Sequence, residues 1–115
     1  VSAQVVRVVD GDTLEIDARI WPGQSVRTLV RMLGVDTPEL RGDCDIERDL
    51  AIKAKNFLAQ RLDGGEVQLR QIAFDKYGGR MLAKIMTVQG GDLALALISA
   101  GLARPYGGGR RQSWC

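Results

Sequence analysis

One long stretch of the chain carries a helical period, and strand-like runs flank it on both sides. Between Ile46 and Leu62 the apolar residues Leu50, Ala54, Phe57, Leu58 and Leu62 recur at intervals of three and four, which is one face of an α-helix. Asp45 is its expected N-cap and Gly64-Gly65 its stop. Upstream, "VVRVVDGDTLEI" (5–16) sets β-branched residues on both sides of an Asp-Gly-Asp-Thr turn and reads as a hairpin or a bent strand pair. "VRTLVRML" (26–33) alternates and predicts a third strand that delivers Asp36 at its C-terminal end. Downstream, "VQLRQIAF" (67–74) and "RMLAKIMTV" (80–88) predict two more strands, separated by "DKYGG". "DLALALISAG" (92–101) predicts a short helix capped by Asp92 and stopped by Gly101.

Three strands, a helix and two strands is the order of an OB-fold, a small partly open barrel. The expected class is therefore mainly β with helices (α+β), a five-stranded barrel with two to three helices. At 115 residues the chain is expected to form one domain, 1–115, with an irregular glycine-rich tail from about residue 107. No run of eighteen apolar residues is present, so no membrane-spanning segment is expected. Val1 in place of Met suggests a processed chain. The net charge of +2 is divided unevenly: residues 1–50 carry six Lys/Arg against ten Asp/Glu, and residues 51–115 carry ten against four. Such a split suits a protein that holds a cation with one half and a polyanion with the other, although solvated surfaces also divide in this way.

Asp10 and Asp12 flank a glycine in a tight turn, and Asp36 ends a neighbouring strand. If these strands pair, three hard oxygen ligands converge at one edge of the barrel; without a nearby histidine or thiolate they select calcium or magnesium over zinc. Taken alone, the Asp-Gly-Asp stretch reads as an ordinary hairpin turn. Glu39, just beyond Pro38, is a carboxylate that could hold and deprotonate a water. Arg31 could grip a phosphate with two parallel hydrogen bonds, or pair with one of these same acids. "DKYGGR" (75–80) adds Lys76, Tyr77 and Arg80, a second guanidinium to balance the charge of a phosphoryl transition state. Tyr77 and Tyr106 could stack on a base or bond a phosphate, or pack partly into the core.

The two cysteines, Cys44 and Cys115, form no metal motif in a chain that has no histidine. Paired, they would tie the tail to the loop that follows Glu39 and would indicate export; unpaired, they are two thiols in a reducing compartment.

"VVDGDTLEI", "VRMLGVDTPEL", "DKYGGRMLA" and "ALISAGLARPY", in this order over roughly residues 5–106, resemble the staphylococcal nuclease (thermonuclease) family. The resemblance implies a calcium-dependent phosphodiesterase that hydrolyses DNA and RNA and leaves 3′-phosphate ends. It implies Asp12, Asp36 and the Thr37 main-chain carbonyl as Ca2+ ligands, with Asp10 an acid beside the metal. By the same resemblance Glu39 is the general base, Arg31 and Arg80 bind the scissile phosphate, and Lys76, Tyr77 and Tyr106 contact the nucleotide.

Two departures from the family pattern accompany the match. The family runs tyrosine, one glycine, arginine, whereas Gly78-Gly79 precede Arg80 here; the extra residue is either absorbed by a bulge or wider turn or displaces the Arg80 guanidinium. The short C-terminus leaves little room for the family's third helix, and a Cys44–Cys115 disulfide would stand in for its anchoring. The expected protein is a secreted or periplasmic monomer acting on nucleic acid. The alternative is a non-catalytic OB-fold module that binds nucleic acid without cutting it.

Overall fold

The computed structural model describes residues 1–62, 65–74 and 80–115. Alternating apolar residues build a closed barrel of five strands. In chain order the elements are β1 (Ser2–Val8), β2 (Thr13–Trp21), β3 (Gln24–Met32), β4 (Val35–Asp36), α1 (Asp45–Arg61), β5 (Glu66–Phe74), β6 (Met81–Thr87), α2 (Leu93–Ser99) and β7 (Arg104–Pro105). The barrel order is β1-β2-β3-β6-β5, with β4 and β7 forming a separate two-stranded ladder. The expected α+β barrel, with its helix between the third and fourth barrel strands, is what the chain adopts.

The period of two fills the interior. Leu14, Ile16 and Ala18 of β2, Val30 and Met32 of β3, Val67 and Leu69 of β5, and Met81, Ala83 and Ile85 of β6 are buried together. From α1 come Ala54 and Leu58, with Leu62 just beyond it, while Leu50 and Phe57 are half-buried at the edge of the same core. α2 adds Leu93, Ala94 and Leu97.

Two local readings need correction. Cys44, not Asp45, is the N-cap of α1, and it makes no side-chain capping bond. The Cys44 carbonyl accepts from the Arg48 N–H at 3.1 Å, so Asp45 lies in the first turn, where it pairs with Arg48. Asp36 does not end β3. The chain turns at Leu33-Gly34, where Gly34 takes φ +84°, a conformation that favours glycine, and Asp36 falls on β4. Arg31 and Asp36 therefore sit on different strands. The run 5–16 is a hairpin as expected, with β1 pairing antiparallel to β2; β2 then continues to Trp21 and turns through Pro22-Gly23 into β3, with Trp21 paired to Gln24.

The cap of α2 is as expected. The Asp92 side chain accepts from the Ala94 N–H at 2.9 Å, and Gly101, at φ +75°, ends the turn. Lys76, Tyr77, Gly78 and Gly79 lie outside the described residues, so the extra glycine is not seen. Among the described residues no helix is long and apolar enough to cross a membrane.

Candidate active site

The pairing of β2 with β3 and of β3 with β6 brings three distant segments to one end of the barrel. Thr13 pairs with Arg31 across the antiparallel ladder, and Val30 pairs with Met81 in the parallel one. The β1–β2 turn, the C-terminal end of β3 and the residue preceding β6 are thereby neighbours. They line a cleft of about 430 Å³ whose walls include Asp10, Asp12, Arg31, Thr37, Glu39 and Arg80.

Gly11 sets how deeply the turn is seated. A Cβ at this position would lie 2.9 Å from the Ala54 Cβ and 3.4 Å from the Thr37 Cβ, so only glycine lets the turn rest on α1 and on the segment after β4. Asp12 anchors it: its carbonyl accepts from the Met32 N–H at 2.8 Å and its carboxylate from the Thr13 hydroxyl at 2.8 Å. Arg31 pairs with the Asp12 carboxylate at 3.5 Å, the alternative that its position left open. Asp10 turns back onto the same turn and accepts from the Asp12 N–H at 3.1 Å. Burial, and then the adjoining Asp12, push its carboxyl up to about 6.

Glu39 points outward, with more than half of its side chain exposed. Its backbone is held from behind. The buried Glu47 carboxylate on the first turn of α1 accepts from the Glu39 N–H at 3.1 Å and the Asp43 N–H at 3.2 Å. Gly42 makes room for that carboxylate, since a Cβ there would come within 2.6 Å of three Glu47 side-chain atoms.

The tail contributes a residue that the motif reading passes over. The Arg111 guanidinium donates to Asp36 through both Nε, at 2.6 Å, and Nη2; it also donates to Glu39 at 2.8 Å and to the Thr37 carbonyl at 3.3 Å. Burial acts to lower its pKa, but the hydrogen bonds to Asp36 and Glu39 outweigh that and raise it. The sequence carries one signal for this contact: Arg111 lies four residues before Cys115, and Cys44 lies five after Glu39. The Cys44–Cys115 disulfide is formed, with a Cα–Cα distance of 6.1 Å.

Tyr106 stands apart from the cleft. Its hydroxyl donates to the Gly109 carbonyl at 2.7 Å, and it lines a neighbouring hollow with Asp36, Arg104 and Arg110. Lys76 and Tyr77 are outside the described residues.

Residues 29–113 match the model of the family described as staphylococcal nuclease homologue. The chain belongs to this family. Among its relatives, endonuclease YhcR of Bacillus subtilis (strain 168) is 33% identical over 111 residues, which is 89% of this chain and 9% of that protein. A protein of Escherichia coli O157:H7 described as an uncharacterized endonuclease is 29% identical over 107 residues, 92% of this chain and 61% of that protein. The chain thus spans less than two thirds of either relative.

The oxygen donors of this staphylococcal nuclease homologue suit a hard cation. Asp36 and the Thr37 carbonyl already converge on one positive group, the Arg111 guanidinium, and Asp12 lies across the same cleft from Thr37. Among the described residues no three Asp, Glu, His or Cys side chains are close enough to form a metal cage by themselves. A cation here would therefore draw on the main-chain carbonyl and on water as well as on side chains.

Proposed function

We propose that the chain is a calcium-dependent phosphodiesterase of the endonuclease type, acting on DNA and RNA and leaving 3′-phosphate ends. The observation that carries this reading is the cleft itself, which the candidate base Glu39, the arginines Arg31 and Arg80, and Asp12 line together. Family membership and the endonuclease names of the two relatives support it.

Asp12, Asp36 and the Thr37 carbonyl would hold the calcium, with Asp10 beside them. Calcium held there would supply positive charge to offset that of the phosphate. Arg31 and Arg80 bind the phosphate oxygens and offset the charge that builds in the transition state. Glu39 orients a water in line with the phosphorus and accepts its proton as the new P–O bond forms. The bond to the 5′ oxygen breaks, that oxygen takes a proton from solvent, and the phosphate stays on the 3′ side. Lys76, Tyr77 and Tyr106 contact the nucleotide. The disulfide fits an exported protein.

The test is cleavage of an end-labelled single-stranded DNA in calcium and then in excess chelator, alongside Glu39→Gln and Arg80→Ala. Calcium-dependent cutting that falls by about a hundredfold or more in each variant is the expected result. Tight binding of the oligonucleotide without cutting under any divalent metal would instead make the domain a binding module.

A further inference from the structure

The residues of the cleft account for a nuclease, but not for the guanidinium that the tail inserts among them. Arg111 engages Asp36 and the Thr37 carbonyl, two of the three groups assigned to calcium, and also the carboxylate of Glu39. The Asp36 side chain is only 4% exposed, and it forms an ion pair with Arg111. Arg7 and Arg27, by contrast, pair with their strand neighbours Glu15 and Asp17 on the barrel wall.

The segment bearing Arg111 is fastened at both ends. At one end β7 pairs with β4, Arg104 opposite Asp36, and the Tyr106 N–H donates to the Gly34 carbonyl. At the other, Cys115 is bonded to Cys44. Between them Arg104 bridges the strap, donating to the Ser113 carbonyl at 3.0 Å and stacking on the Trp114 ring at 3.8 Å. A tethered group acts at a high effective concentration that the tether sets, and a guanidinium hydrogen-bonded to carboxylates is among the stronger pairings available to a side chain.

We propose that Arg111 is a further residue of this site, a built-in cation that competes with the metal for Asp36 and the Thr37 carbonyl, and that the Cys44–Cys115 bond sets the strength of the competition. The inference rests on the calcium reading above. The metal binds only the fraction of molecules in which Arg111 has withdrawn, so the apparent affinity is the intrinsic affinity reduced by that fraction. While Arg111 is seated, Glu39 is also occupied, so the same movement frees the metal ligands and the base.

The experiment is isothermal titration of calcium chloride into the full chain in the absence of substrate, at low ionic strength, for the parent protein, Arg111→Ala, Arg111→Lys and the parent after reduction. Melting curves in chelator accompany each, and Arg111→Lys against the parent is the deciding pair if Arg111→Ala melts early. Arg111→Ala is expected to bind calcium about tenfold more tightly or better, with Arg111→Lys in between. Reduction should tighten binding in the parent and change nothing in Arg111→Ala, a pattern that a merely structural role for the tail would not produce. Equal and measurable affinities across the set, or weaker binding in Arg111→Ala, overturn the competition while leaving the calcium reading standing. Absence of calcium binding in every protein overturns both.

Discussion

Glu47 holds Glu39 in place from behind, and removing its carboxylate separates that task from the chemistry. The side chain is buried and its two oxygens accept one backbone N–H each, from Glu39 and Asp43. A hydrogen bond to an ionised acceptor is worth roughly 1.5–3 kcal/mol. Both donors belong to exposed residues, so water recovers part of the loss, and Glu47→Ala should cost about 3 kcal/mol. With an unfolding entropy of about 2.1 cal/mol/K per residue, this lowers the melting temperature of a chain of 115 residues by about 12 °C. Glu47→Gln keeps one acceptor and turns an amide N–H toward the other donor, which should cost about 2 kcal/mol. In both variants the loop carrying Glu39 loses its fixed position, and a shift of about 1 Å there should lower kcat by about a hundredfold. Gly42→Ala should reproduce the effect by expelling the carboxylate, and in combination with Glu47→Ala it should cost much less than the sum. Thermal melting read by circular dichroism, followed by single-turnover cleavage, makes the comparison. A Glu47→Ala protein that melts within 2 °C or so of the parent would refute the reasoning, whatever its activity.

Two further outcomes are expected. Gly11→Ala should destabilise by about 2 kcal/mol in denaturant melts, because the added methyl meets the Ala54 Cβ at 2.9 Å; Ala54→Gly should restore part of this, and a neutral Gly11→Ala would show that the turn is not seated against α1. In calcium-free protein the Asp10 carboxyl should titrate near 6. Its folded pKa is raised above the ordinary value of 3.8, so between about 4 and 6 the folded state keeps a proton that the unfolded chain releases, and this contribution to stability is lost as pH rises through that window. Carboxyl-carbon NMR should show the midpoint moving down in Asp12→Asn, and a midpoint near 3.8 in the parent would contradict the burial argument.

The barrel was largely legible because its information is local. The period of two in Leu14, Ile16 and Ala18 and the helical spacing of Ala54, Leu58 and Leu62 each specify an element and the face it buries. The order of those elements leaves few closed arrangements. The turn at Asp10-Gly11-Asp12 and the cap at Asp92 were legible for the same reason, since a short polar side chain beside a glycine or before an apolar run bonds its own neighbourhood. The two-residue strands β4 and β7 were not, because so short a strand has no period and forms only when a distant partner supplies its hydrogen bonds.

The sequence by itself determined the five barrel strands and the two helices, the inward faces and the chemical types available to the site: carboxylates at 12, 36 and 39 and guanidiniums at 31 and 80. Tertiary structure alone decided which of them meet. The parallel pairing of β3 with β6 carries Arg80 to the cleft that Arg31 lines. A bond between cysteines 71 positions apart returns the tail to the loop after β4, and Arg111 thereby reaches Asp36 and Glu39. No periodicity marks such contacts, because their free energy depends on a separation in space that the chain acquires only when the barrel closes.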